Sequence, residues 1–313
     1  MGVYSDISVE RIESLIAQYD RGRLIEITPI TTGIENSNYF VSLSQYGQDT
    51  DYVLTLVEVA DERRAQGVSQ LMTHLRFYGF PAPEVVTARS GNRLLTGDLR
   101  PIMLSTKIQG HHVRSPKIQH CRLLGSTLAQ FHQIASAFSS TLSQPFDLVW
   151  LSKTIETHRQ ALSGDTLSLL YEAATQCELI QAQGLPTGIT HGDAFRDNVL
   201  FSETDELTGL LDYFHAGEDC LIMDLAIAIN DWCYACSDER ERSALRQAMV
   251  SGYEEVRHLE EEERKALPTA QFIGAARLCC SRMATRNDTG HYRKDPKEYE
   301  RHLRDLVNNP PSY

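Results

Sequence analysis

A chain of 313 residues, 42% hydrophobic and 23% charged, has the composition of an ordinary folded protein and exceeds the usual size of a single core, so two lobes are expected. Its 30 basic against 42 acidic side chains give a formal charge of −12, which disfavours nucleic acid or an anionic membrane surface as a partner. No apolar run approaches the ~20 residues that span a bilayer, Met1-Gly2-Val3-Tyr4-Ser5-Asp6 lacks the regions of a signal peptide, and an odd set of seven cysteines fits reduced thiols, so a cytoplasmic location is expected.

In chain order, residues 5–19 place Ile7, Val9, Ile12, Leu15 and Ile16 at helical spacing behind Ser8 or Asp6 as a cap. Strands are predicted over 24–30, 38–43 and 52–57, the last two forming a hairpin around the polar run 44–51. A helix over 62–78 stops at Gly79, with Pro81 and Pro83 beyond it. Strands near 85–89, 93–96 and 101–108 complete a mostly antiparallel sheet with one inserted helix. From residue 115 the pattern is largely helical, with helices predicted over 116–137, 152–183, 224–236, 238–257, 268–285 and 295–306.

Cys233 and Cys236 have the spacing of a redox or zinc pair, but no second pair follows, so they and Cys279-Cys280 read as structural thiols packed on helices. The acidic run Glu260 to Glu263 before Arg264 and Lys265 suits a solvated helix start.

The chemistry concentrates in Thr190-His191-Gly192-Asp193-Ala194-Phe195-Arg196-Asp197-Asn198 and in Asp212, which follows Gly209-Leu210-Leu211. Val199-Leu200-Phe201 and 207–211 read as short strands around the turn 202–206, a hairpin that would bring Asn198 near Asp212. Phosphoryl-transfer sites use such a set: one Asp accepts the proton of the attacking hydroxyl, while an Asn five positions on and a later Asp give oxygen ligands to magnesium. Those roles fall on Asp193, Asn198 and Asp212. His-Gly-Asp alone is common turn chemistry; the full constellation is what makes a kinase the expected function.

The same segment resembles the aminoglycoside-phosphotransferase-like kinase superfamily. Gly33-Ile34-Glu35-Asn36-Ser37-Asn38-Tyr39, Asp224 to Cys233 and the helix carrying Arg277 and Arg282 are similar to its homoserine kinases, and the likeness covers nearly the whole chain. The resemblance implies an α+β, bilobal protein-kinase-like fold: a nucleotide-binding β-rich lobe over 1–106, a hinge over 107–114, and a helical catalytic lobe over 115–313. It implies transfer of phosphate from ATP, with Mg2+, to the hydroxyl of L-homoserine in threonine biosynthesis. It also assigns Gly33, Asn36, Ser37, Asn38, Lys107 and Ile108 to the nucleotide.

Several roles stay open on the residues alone. The segment 33–39 is either a loop covering the phosphates or a plain hairpin turn with Asn36 and Asn38 in special backbone conformations. Asp224 reads as the cap of a helix starting at Leu225 that steadies the metal hairpin. Asp231 suits the ammonium of an amino acid, or is simply solvated at the surface. Arg196, Arg277 and Arg282 suit a phosphate or carboxylate, or pack by their stems. Residues 1–106 contain no lysine, and Thr55 stands about where protein kinases carry the phosphate-binding lysine; Arg63 or Arg64 would share that work. The rivals are a kinase of an aminoglycoside, choline or a similar alcohol, and a non-catalytic metabolite-binding relative.

Overall fold

The computed structural model describes residues 7–31, 35–96, 100–234, 236, 238–285 and 294–311. The chain forms two compact units, one of residues 1–110, 138–140 and 208–214, the other of 111–137, 141–207 and 215–313.

The first unit opens with α1 (Val9–Ile16), capped by Ser8, whose hydroxyl accepts the Arg11 amide; Asp6 lies outside the described residues. Ile12, Leu15 and Ile16 are buried on one face of it and pack with Val41, Leu43, Leu54 and Leu104 of the sheet. Among the described residues the sheet has five antiparallel strands in the order β1 (Arg23–Pro29), β2 (Ser37–Gln45), β3 (Gln48–Leu56), β5 (Ile102–Thr106), β4 (Leu94–Leu95). Period-two alternation buries Tyr39, Val41 and Leu43 on β2. Between β3 and β4 runs α2 (Glu62–Phe77), capped by Asp61.

Two expectations for this unit are corrected. The run 44–51 is mostly strand, because β2 and β3 stay paired to Gln45 opposite Gln48, and the left-handed Tyr46 and Gly47 suffice to turn the chain. Residues 85–89 make no strand: β4 occupies that edge of β5 at Ile102 and Met103, leaving Val85 an isolated bridge to Ser105, while Ala88 bridges to Tyr19.

The second unit is helical: α3 (Ile118–Ala135), α4 (Leu148–His158), α5 (Gly164–Ala182), α6 (Ile222–Trp232), α7 (Glu239–Glu254), α8 (Glu261–Ala284) and α9 (Lys297–Asn308). Among them lie β6 (Thr187–Thr190), β7 (Val199–Phe201) and β9 (Gly217–Cys220). The turn in which the Ser202 amide donates to the Glu206 carbonyl leads into β8 (Leu207–Leu210), most of which belongs to the first unit. Leu151, Ile155, Leu170 and Ala173 pack with Ala275, Ala276, Cys279 and Cys280 of α8 and Leu303 of α9. Helices α3 and α7 touch backbone to backbone: a Cβ on Gly125 would lie 2.0 Å from the Met249 oxygen, and one on Gly252 2.0 Å from that of Arg122. No helix among the described residues is long and apolar enough to cross a membrane.

The single helix predicted over 152–183 is two. Apolar spacing runs through both, but Arg159–Ala161 tightens to a 3-10 turn and Ser163 restarts the chain by accepting the Thr166 amide. Helix α8 begins at Glu261 rather than at 268: Glu260 and Glu263 form a capping box, and the buried Glu263 is held by both Nη atoms of Arg257 (2.9 and 3.1 Å). These contacts outweigh the backbone hydrogen bond forfeited at Pro268. Cys233 is buried as expected, but α6 ends at Trp232, and Cys236 lies beyond the helix with its thiol on Glu241.

Candidate active site

β6 pairs antiparallel with β9, Thr190 opposite Gly217, and its end delivers the loop 191–198. Asp224, on the first turn of α6, receives the amide hydrogens of His191 (2.6 Å) and Gly192 (2.7 Å) on its two carboxylate oxygens. The Trp232 indole, at the other end of α6, donates to the Ala194 carbonyl (2.9 Å). One buried helix thus grips the loop at both ends. Asp224 is no cap: α6 starts at Ile222, and the carboxylate steadies the loop 191–192 instead of the hairpin after it.

Asp224 is itself backed by His132 of α3, whose Nε2 lies 2.9 Å from its Oδ2. The other ring nitrogen meets the Tyr253 hydroxyl at 2.7 Å, which takes a hydrogen bond from Arg257 (3.2 Å). The polarity is self-consistent: Arg257 donates to Tyr253, Tyr253 to His132 Nδ1, and His132 Nε2–H to Asp224. Burial pushes the Asp224 carboxyl up, but the hydrogen bond from His132, the neighbouring His132 and His191 rings and the Gly192 amide outweigh it and hold the carboxyl below its usual range.

Within the loop, Gly192 has φ +76°, and a Cβ there would stand 2.8 Å from the His215 carbonyl oxygen, so the turn requires glycine. The Asp193 amide donates to His191 Nδ1 (3.2 Å). A 3-10 turn, Arg196–Asn198, brings the Asn198 amide back so that its Nδ2 donates to Asp193 Oδ2 at 2.7 Å and to the Asp193 carbonyl at 2.9 Å. Asp193 keeps 14% side-chain exposure, and His215 Nδ1 stands 3.5 Å from its Oδ2. Asp212, in the sheet-bearing unit, takes a left-handed φ of 58° and accepts the Phe214 amide at 3.2 Å. The Phe214 carbonyl is in turn held by Arg64 Nε at 2.9 Å.

Of the other candidates, Arg196 and Asp231 meet each other, through Nε to Oδ2 at 2.9 Å and Nη2 to Oδ1 at 3.2 Å. Arg277 stands apart from them, buried on Asp219 at 2.5 Å and within 3.7 Å of the Cys177 sulfur. Arg282 lies on Glu298 and over the Tyr299 ring. Gly33 lies outside the described residues. Asn36 Oδ1 accepts the Glu58 amide, Ser37 donates to the Glu58 carboxylate, and Asn38 Oδ1 accepts from Thr55 at 2.7 Å. Neither Asn36 nor Asn38 takes a positive φ. Lys107 pairs with Asp51 at 3.0 Å over the Phe40 ring, and the Ile108 side chain occupies the space a Cβ on Gly209 would fill.

The profile of the phosphotransferase enzyme family matches residues 26–259, a span that includes both the loop 191–198 and Asp212. The chain belongs to this family. As a phosphotransferase it is 33% identical to a homoserine kinase of Polaromonas naphthalenivorans over 99% of both chains. It is 32% identical to a homoserine kinase of Neisseria meningitidis over 90% of this chain and 91% of that one. The phosphotransferase fold is shared with an amicoumacin kinase solved with AMP-PNP and Ca2+ (TM-score 0.77, 14% identity, 97% of this chain and 95% of that one). It is shared as well with the choline kinase of Cryptosporidium parvum (TM-score 0.66, 13% identity, 96% and 97%).

Two features of the site escaped the sequence reading. His132, Tyr253 and Arg257 carry no joint local signal, since His132 comes from α3 while Tyr253 and Arg257 come from α7 and the turn that follows it. His215 stands three residues past Asp212, and only the tight approach of Gly192 makes it a neighbour of Asp193.

Proposed function

We infer that this chain transfers the terminal phosphoryl group of ATP to the side-chain hydroxyl of L-homoserine, giving O-phospho-L-homoserine for threonine synthesis. The observation that carries the reading is the Asn198 amide fixing the Asp193 carboxylate at 2.7 Å, on a loop clamped by Asp224, in a chain similar from end to end to homoserine kinases. Asp193 orients the hydroxyl and takes its proton. Because phosphoryl transfer passes through a loose transition state, holding the hydroxyl in line matters more than the strength of the base.

Asn198 and Asp212 offer an amide and a carboxylate oxygen, the hard donors that suit Mg2+. That ion, when bound, neutralises charge on the phosphates. Gly33, Asn36, Ser37 and Asn38, with Lys107 and Ile108 in the hinge 107–114, make up the nucleotide site of the lobe 1–106. In the absence of a strand lysine, Arg64 supports that site from behind by bracing the backbone after Asp212.

The mutual pairing of Arg196 and Asp231 supports assigning the amino-acid end of the substrate to them. A zwitterion presents an ammonium to Asp231 and a carboxylate to Arg196, the charges each already satisfies on the other. Arg277 and Arg282, each committed to an acid of the protein, brace the helices of the lobe 115–313 instead of meeting substrate. The seven cysteines, all free thiols, suit a reducing cytoplasm.

ADP release measured across L-homoserine, L-serine, L-threonine, choline and an aminoglycoside tests the reading. Homoserine is expected to give the highest kcat/KM, by at least about tenfold. A flat response, or preference for choline or the antibiotic, would overturn it.

A further inference from the structure

Helix α9 and the segment before it are tied to the catalytic loop and to α6 at two points, and both ties lie beside the pair formed by Arg196 and Asp231. Ahead of the helix, Lys294 Nζ meets Asp197 Oδ2 at 3.3 Å, next in the chain to Arg196. Within it, His302 Nε2 meets Asn230 Oδ1 at 3.1 Å, next to Asp231. Tyr299 stands between the two ties in sequence and shares with His302 the buried face of α9. Its ring lies under the Arg282 guanidinium (4.4 Å to the centroid) and edge-on to His302 (centroids 5.8 Å), leaving the residue 5% exposed. Among the described residues no group hydrogen-bonds its hydroxyl, yet that oxygen is not sealed in the interior.

A buried ring that ends in an unclaimed hydroxyl suits a ligand with a polar atom to offer it. The charges around it decide which atom. Burial pushes the Tyr299 phenol up, and the charges of Asp231 and Asp193 push the same way, more than Arg282 draws it back. The group therefore stays O–H and can donate. Of the two charged ends of an amino acid, the ammonium finds its full countercharge in Asp231, so the carboxylate is the end still short of partners. Arg196 cannot supply them all: its Nε and Nη2 are on Asp231, and its Nη1 donates to the Arg114 carbonyl at 3.2 Å.

We propose that the Tyr299 hydroxyl donates to the α-carboxylate of the amino-acid substrate, beside Arg196, and so selects an amino acid over the amino alcohol that lacks this group. This rests on the homoserine reading above. The contact lies away from the reacting oxygen and is the same before and during transfer, so it acts on KM more than on kcat. Because Arg282 and His302 already hold the ring, the hydroxyl gives up little freedom on binding.

The test compares the parent with Tyr299→Phe, which keeps the ring under Arg282 and loses only the oxygen. Steady-state kinetics are measured on L-homoserine and on 3-aminopropan-1-ol, the same chain without the carboxylate. In the variant, KM for homoserine is expected to rise about tenfold or more, with kcat within about threefold and KM for ATP within about twofold. The ratio of kcat/KM for homoserine over the amino alcohol is expected to fall about tenfold or more. A ring with only a structural role lowers both substrates together, so an unchanged ratio overturns the proposal, as does a parent-like KM for homoserine. Should the variant fail to fold, a fluorine label on the Tyr299 ring alone decides. Its 19F resonance is expected to move with homoserine and not with the amino alcohol; no movement, or equal movement with both, overturns the contact. A parent that turns over homoserine beside a variant with the parental ratio refutes this inference alone; a parent that does not turn it over refutes the reading beneath it.

Discussion

Arg196 and Asp231 hold each other by two nearly parallel contacts, and Asp231 Oδ2 also accepts the Arg196 backbone amide at 2.8 Å. Burial lowers the Arg196 pKa, but the hydrogen bond and charge of Asp231 outweigh it, so the guanidinium is held above its usual value. The carboxylate therefore fixes both the side chain and the loop that carries Asp193. Asp231→Asn keeps the shape but removes the charge. It is expected to raise KM for homoserine at least about tenfold while changing KM for ATP by less than about threefold, read from steady-state kinetics. Equal effects on both substrates would detach Asp231 from the amino-acid end.

Replacing Asp224 by Ala leaves two buried amides and His132 without their acceptor. A loss of about 3 to 5 kcal/mol is expected in denaturant unfolding, since the partners of a removed buried charge stay behind unsatisfied. Tyr253→Phe removes only the hydroxyl at the far end of the chain of hydrogen bonds, and about 1 to 2 kcal/mol is expected. A smaller loss for Asp224→Ala than for Tyr253→Phe would contradict the order of dependence.

Gly192→Ala forces a Cβ to 2.8 Å from the His215 oxygen at φ +76°. The backbone penalty alone is about 1 kcal/mol, and relieving the clash shifts Asp193. The expected signature is a kcat at least about tenfold lower with nucleotide affinity, by calorimetry, nearly unchanged.

Much of this was legible in the chain. Asp193 and Asn198 declare themselves because a loop and a 3-10 turn are local events, encoded within eight residues. Helix α2 was readable over 62–78 because its apolar face and its stop at Gly79 agree. What stayed hidden depends on residues far apart. β6 and β9 are four residues each, too short for a pattern, and gain their strand structure by pairing with each other. Asp224 read as a cap because acids favour helix starts, whereas its partners lie 33 and 32 residues away in the loop. The break at Ser163 stayed hidden because an apolar spacing runs through both helices that it separates.

His302 offers a test of the packing between α6 and α9. Its Nε2 meets Asn230 Oδ1 at 3.1 Å, and burial depresses its pKa from 6.5 to about 4. The unfolded chain binds a proton near pH 6.5 that the folded chain refuses until about pH 4, so this contribution is whole above the unfolded pKa and is lost as pH falls through that window. About 3 kcal/mol is at stake over that window. His302→Gln, which keeps a donor for Asn230, is expected to flatten the fall in stability from pH 7 to pH 4.5, measured by urea unfolding. An unchanged slope would show that another group sets it.

The central claim is tested most directly by 31P NMR of the purified protein with ATP, Mg2+ and L-homoserine, beside Asp193→Ala under the same conditions. A phosphomonoester resonance of O-phosphohomoserine is expected to grow with ADP in the parent and to be absent in the variant, while the variant still binds nucleotide. A parent that forms no phosphohomoserine, or an Asp193→Ala protein that forms it at the parental rate, would contradict the account.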